Sequence, residues 1–211
     1  MSSPPLLRVR QLGRCDYRET WEAMRTFTDR RTATTPSEIW VVEHDPVFTQ
    51  GQAGRPEHIL DPGDIPVIQT DRGGQVTYHG PGQLVMYLLL SLRETGLGVR
   101  TLVSAMENSV IDLLGEHGVQ AEARPSAPGV YVAQAKIAAV GLRVRRGFSY
   151  HGLSFNVDMD LEPFSRINPC GYRGLPVTQA REIGITLSPQ ELAPILIKHF
   201  CRHTGYQLGN P

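Results

Sequence analysis

Val130-Tyr131-Val132, a turn near Ala133 to Ala135, and then Lys136-Ile137-Ala138-Ala139-Val140-Gly141-Leu142-Arg143-Val144-Arg145-Arg146 read as a β-hairpin. In the longer strand Lys136, Ala138, Val140, Leu142 and Val144 share one face, while Arg143 and Arg145 point to the other. The next segment, Ser149 to Leu161, alternates again, with His151, Leu153, Phe155, Val157 and Met159 on one side. Upstream, Val99 to His117 reads as a helix whose apolar stripe (Val99, Leu102, Val103, Met106, Val110, Leu113, Leu114) stops at Gly118. Leu84 to Leu92 is a continuous apolar strand buried on both faces. Further out lie a helix over Asp16 to Arg31 and strands over Ile39 to His44 and Pro66 to Thr70. Val177 to Ile183 reads as a short helix, and a last helix opens with a capping box at Ser188 and Glu191. Hairpins beside long helices in irregular alternation define an α+β fold: a mixed, largely antiparallel sheet flanked by helices.

With 211 residues and 40% hydrophobic content, the chain can bury one substantial core, so residues 1–211 are expected to form a single domain. The 21 basic and 21 acidic residues cancel, leaving no footprint for nucleic acid or an anionic membrane. Met1 to Arg10 lacks the apolar core and cleavage site of a secretion signal, and no apolar run reaches the length of a membrane span. Cys15, Cys170 and Cys201 are widely spaced, odd in number and free of CxxC pairing. That pattern argues for a reducing cytoplasm and against disulfides or a zinc site. GxxxxGK[ST], GxSxG and HExxH are all missing, so phosphate cradling, a serine elbow and zinc proteolysis have no support, and no cofactor or metal is expected.

Three stretches carry chemistry. Asn168-Pro169-Cys170-Gly171-Tyr172-Arg173-Gly174 presents a thiol on a loop whose Pro and Gly permit backbone angles that a helix or strand forbids. Asp71-Arg72-Gly73-Gly74-Gln75-Val76-Thr77-Tyr78-His79-Gly80-Pro81-Gly82-Gln83 brings backbone amides close to a ligand, with Arg72 and His79 adding charge or a proton. The third stretch is the Lys136 strand. Of 21 basic residues only Lys136 and Lys198 are lysine, and a position that must release a proton cannot be arginine. Lys136 lies on the apolar face of its strand, and burial favours the neutral amine. A thiolate is a strong nucleophile for acyl transfer, and an amine beside it activates it as a cation or accepts its proton. Glycine-loop amides suit a tetrahedral oxyanion. The residues by themselves point to a Cys–Lys acyl transferase or an amidase-like hydrolase.

Five segments, in order along nearly the whole chain, closely resemble the lipoyl(octanoyl) transferase family: Glu43-His44-Asp45-Pro46-Val47-Phe48-Thr49-Gln50-Gly51, Arg72 to Leu84, Lys136 to Gly141, His151-Gly152-Leu153-Ser154-Phe155-Asn156 and Asn168 to Gly171. The resemblance implies the catalytic-domain fold of biotin and lipoate protein ligases. It implies transfer of an octanoyl group from octanoyl-acyl carrier protein to Cys170 as a thioester. The chain would then pass to a specific lysine on lipoyl domains such as those of 2-oxoacid dehydrogenases or the glycine cleavage H protein, in the cytoplasm. Lys136 would be the residue that lowers the pKa of the thiol. The acyl pocket would be lined by Arg72, Gly73, Gly74, Gln75, Val76, Thr77, Tyr78 and His79, by Ala139, Val140 and Gly141, and by Gly152, Leu153 and Ser154. Inward Ala138, Val140 and Leu142 would face the chain, at about 0.8 kcal/mol per buried methylene. Two alternatives are an ATP-dependent lipoate or biotin ligase, which needs no cysteine, and a non-catalytic acyl- or carrier-binding module.

Overall fold

The computed structural model describes residues 4–209, so residues 1–3 and 210–211 of the expected domain lie outside the described residues. In chain order the elements are β1 (Leu6–Cys15), α1 (Tyr17–Arg30), β2 (Ser37–His44), β3 (Val47–Gln50), β4 (Val67–Gln69), β5 (Val76–His79), β6 (Gln83–Leu89), α2 (Leu92–Thr95) and α3 (Val99–Glu116). They continue with β7 (Glu122–Ala123), β8 (Gly129–Val132), β9 (Ala135–Arg145), β10 (Phe148–Asn156), α4 (Pro189–Thr204) and β11 (Gln207–Leu208). The main sheet runs β11-β1-β2-β6-β10-β9-β8-β7, and a smaller one β4-β3-β5. In the main sheet β1 is parallel to β2 and β11, and every pairing from β2 to β7 is antiparallel, which gives the expected mixed, mostly antiparallel α+β architecture.

Local chemistry starts the helices where the sequence signals them. The Asp16 carboxylate accepts the Glu19 N–H at 2.9 Å and opens α1, and Ser188 and Glu191 form a reciprocal capping box on α4. Gly118, at φ +74°, follows the end of α3. Strand β6 is buried along its whole length because both sheet faces are covered. Leu84, Met86 and Leu88 pack with α3 and α4, whereas Val85, Tyr87 and Leu89 pack with Met24 of α1.

Three local expectations differ from the structure. Leu92 begins α2 instead of ending the apolar strand. Val177 makes a β-bridge to Lys136, and the short helix contracts to a 3-10 turn over Ala180–Ile183. His151 leaves the face of Leu153 and Phe155. Those two join the α3/α4 core, while His151, at φ +60°, turns back to stack on Tyr150 at 5.0 Å between ring centres. A left-handed residue breaks the two-residue side-chain period, so consecutive Tyr150 and His151 serve the same side of the sheet.

Candidate active site

The thiol loop is a tight 3-10 turn, Pro169–Gly171, in which Cys170 itself is left-handed at φ +57°. Sparse backbone conformations of this kind persist only where surroundings enforce them. The turn is anchored from both ends: the Asn168 N–H donates to the His58 carbonyl at 2.8 Å, and the Tyr172 hydroxyl to the Ser126 carbonyl at 2.9 Å. Across from it, the opening of β9 delivers Lys136, only 4% exposed, whose Nζ lies 2.8 Å from Cys170 Sγ and 2.9 Å from the Pro128 carbonyl oxygen. The two residues are 34 positions apart in the chain and touch.

From Cys170 a largely apolar cleft of about 490 Å³ of atom-free space, partly open to solvent, runs over the face of the sheet that α1 covers. Its walls come from the glycine-rich loop and β5 (Arg72, Gly74, Gln75, Val76, Thr77, His79), from Ala139, Val140 and Gly141 of β9, and from Gly152, Leu153 and Ser154 of β10. Gly73 lies instead on the outer groove beside Cys170 and Tyr172. The Tyr78 ring turns away to pack between Phe48 and Phe164, because successive residues of β5 alternate sides. Ala138 and Leu142, expected to face an acyl chain, pack with the α3/α4 core, and the intervening Ala139 and Gly141 take their place in the wall. Lys136 and Ala138 adjoin the site through a second, small void that also touches Cys170.

The cleft also has walls that the sequence reading passed over: Tyr17 from α1, and Val85 and Tyr87 from β6. Tyr17 stacks on His79 at 5.7 Å, and the Tyr87 hydroxyl lies 2.6 Å from His44 Nε2. Burial holds His44 and His151 below the ordinary imidazole range, and pushes His79 down to about 3 with help from His44. All three are therefore neutral near pH 7. Only an aromatic spaced four before Trp21 on the buried stripe of the first helix hinted at Tyr17.

Two polar clamps give the cleft its shape. Arg72, buried, donates to the Thr49 carbonyl at 2.6 Å, the Gln75 carbonyl at 2.8 Å and the Gly73 carbonyl at 2.9 Å. Its guanidinium thus folds the glycine loop around itself, even though burial pushes its pKa down. Asp71 receives hydrogen bonds from Trp21 Nε1 and His151 Nε2, each at 2.9 Å, and from the Tyr150 hydroxyl. Burial alone would raise that carboxyl, but the donors, His151 foremost, hold it well below the usual carboxylate range, and Tyr150 is pushed up to about 12. Gly152 lies flat on β6: a Cβ there would sit 2.0 Å from the Met86 carbonyl oxygen, so no side chain fits between the strands at the cleft.

A thiol thus lies against an amine at the mouth of a largely apolar cleft, on a mixed, mostly antiparallel sheet. The fold matches a crystal structure of lipoate-protein ligase A bound with ATP at TM-score 0.81 and 16% identity, covering 98% of this chain and 88% of that one. It matches biotin protein ligase from Aquifex aeolicus at TM-score 0.56 and 15% identity, covering 94% and 69%. In sequence, residues 16–201 match the lipoyl protein ligase A/B catalytic domain family. An octanoyltransferase of Alkalilimnicola ehrlichii is 62% identical over 204 residues, 97% of this chain and 94% of the relative. The chain belongs to this family, among its octanoyltransferases, and is an acyltransferase.

Proposed function

We propose that the chain takes an octanoyl group from octanoyl-acyl carrier protein onto Cys170 and passes it to a lysine of lipoyl domains, such as those of 2-oxoacid dehydrogenases or the glycine cleavage H protein. The observation that carries this reading is the 2.8 Å contact between Lys136 Nζ and Cys170 Sγ at the end of the cleft. Sγ, stripped of its proton with the amine beside it, attacks the thioester carbonyl of the donor. The bond from that carbonyl carbon to the carrier sulfur breaks, and the carrier leaves as a thiol once it takes up a proton. The acceptor amine then attacks octanoyl-Cys170, forming a C–N bond as the C–Sγ bond breaks, and its surplus proton goes to the Lys136–Cys170 pair. Each step begins from an activated thioester, so no nucleotide is consumed. The cleft binds the chain through its methylenes, at about 0.8 kcal/mol for each one buried. The proposed work on carrier and acceptor proteins is placed in the cytoplasm; no helix among the described residues is long and apolar enough to cross a membrane.

Intact-protein mass spectrometry after mixing with octanoyl-acyl carrier protein tests the reading. The expected product is one octanoyl adduct, removed by hydroxylamine and missing from Cys170→Ser. Transfer from octanoate and ATP that survives Cys170→Ser would replace this reading with an adenylating ligase. Octanoyl binding unaffected by that substitution, with no adduct, would replace it with a carrier module.

A further inference from the structure

The hydrogen bonds behind Lys136 lead to a residue outside the cleft. The Pro128 carbonyl that accepts from Lys136 Nζ at 2.9 Å and the Gly129 N–H are the two poles of one peptide group. That N–H donates to Glu107 Oε1 at 2.7 Å. Glu107 sits on α3 and is only 7% exposed. Carboxylate, peptide, amine and thiol therefore form one continuous line from the helix to the Cys170 turn.

Two further features hold this peptide and the one before it. Gly129, at φ +134°, has room for no side chain: a Cβ would stand 2.4 Å from the Ala138 carbonyl oxygen and 2.7 Å from Lys136 Cε. The missing Cβ is what lets the peptide lie against the lysine stem. Tyr131 donates its hydroxyl to the Ala127 carbonyl at 2.8 Å while its ring sits 5.3 Å from Lys136 Nζ. A lysine side chain has four rotatable bonds, so without fixed acceptors its amine samples many positions. A carboxylate buried on an apolar helix stripe is costly unless it is hydrogen-bonded, and Glu107 makes its buried bond to this peptide. Burial pushes its pKa up, opposed by the Gly129 N–H and by Lys136.

We propose that Glu107 is a positioning residue of the acyl-transfer site: it fixes the Pro128–Gly129 peptide, whose carbonyl holds the Lys136 amine against Cys170. This rests on the Cys170–Lys136 reading above. Glu107 touches neither substrate nor thiol and acts through the lysine.

Reach and charge separate in two variants. Glu107→Asp keeps the charge but is a methylene short of Gly129, whereas Glu107→Gln keeps an oxygen in place without the charge. The readout is the rate of Cys170 alkylation by iodoacetamide at pH 7, resolved from Cys15 and Cys201 by peptide mass spectrometry, in wild type and in a Lys136→Met background. Glu107→Asp should slow alkylation about tenfold, the scale of one lost hydrogen bond, and Glu107→Gln, which keeps that bond, should stay within about twofold. In the Lys136→Met background Glu107→Asp should add nothing. An unslowed Glu107→Asp, equal slowing in both backgrounds, or Glu107→Gln as slow as Glu107→Asp would each overturn the proposal. Alkylation that ignores Lys136→Met would instead overturn the amine–thiol reading itself, and this proposal with it. Should Glu107→Asp fail to fold, hydrogen exchange of the wild-type Gly129 amide decides: it should be as slow as the β9–β10 ladder, and exchange at an open-loop rate would refute the anchor.

Discussion

Cys170 differs from the other two thiols by its neighbours. The Cys201 thiol, on α4, is pushed up to about 11 by burial, and Cys15 spends its S–H on the Leu12 carbonyl at 3.2 Å. A buried, protonated thiol is chemically quiet, whereas one against an amine is primed. That contrast makes Lys136→Arg informative. The stem already lies against Gly129, and guanidinium neither fits that space nor releases a proton at working pH. Octanoyl transfer to a lipoyl domain should fall by about 100-fold or more, the range of a lost acid–base group, with the circular dichroism spectrum unchanged. Near-normal turnover would remove the lysine from the chemistry. The two side chains that meet at 2.8 Å were both legible in the sequence, the thiol from its Pro/Gly loop and the amine from a chain that otherwise writes arginine. Glu107 was not, because a lone acid in a helix reads as solvated. Its signal was its place, four after Val103 and three before Val110, in the middle of the apolar stripe.

At the scale of elements, the Asp71 clamp joins pieces that share no ladder: α1 through Trp21, β10 through Tyr150 and His151, and the glycine loop itself. Three donors converge on one carboxylate, and an amide offers only one oxygen. Asp71→Asn strips the charge from all three bonds and sets an NH2 where the Tyr150 hydroxyl must turn from donor to acceptor, at about 2 kcal/mol. The urea midpoint should fall accordingly with an unchanged slope, since the folded core is kept. An unchanged midpoint would show that the clamp adds nothing to stability. Side-chain pattern could not announce this junction: the turn of His151 onto the Tyr150 side comes from a single positive φ that periodicity does not encode. Nor did it announce β1, where Leu7 is the single buried residue among the ten. That strand is held by main-chain pairing to β2 and β11, which leaves no alternation to read. Strand β9 and helices α1, α3 and α4 were legible because each buries a regular face, β6 because it is apolar throughout, and β10 because its alternation holds beyond His151.

For the whole molecule, formal neutrality conceals an acid-sensitive junction between the two sheets. His44 of β2, His79 of β5 and His151 of β10 are all buried, and Tyr17 stacks on His79 and meets His44 edge-on. Burial lowers all three, so the unfolded chain binds protons that the folded one refuses. A depressed imidazole contributes its stability in full above the unfolded value near 6.5, and that contribution is lost as pH falls toward the folded value. For His79, with a folded value of about 3, the window runs from about pH 6.5 down to about pH 3. Between pH 7 and pH 5 the unfolded state gains roughly 1.5 pKa units of protonation, so His79 alone should cost about 2 kcal/mol over that interval. The depressed Asp71 carboxyl adds a loss of the same sign only below about pH 5, where unfolded aspartate begins to protonate, so it leaves this interval nearly clean. Urea unfolding of wild type and of His79→Gln at the two pH values isolates the term, because glutamine offers an oxygen and an amide without a proton to gain. The variant should start less stable at pH 7 yet lose about 2 kcal/mol less on going to pH 5. Parallel losses in the two proteins would mean that His79 takes up its proton in the fold as readily as in the unfolded chain, so that burial beside Tyr17 does not hold the ring neutral.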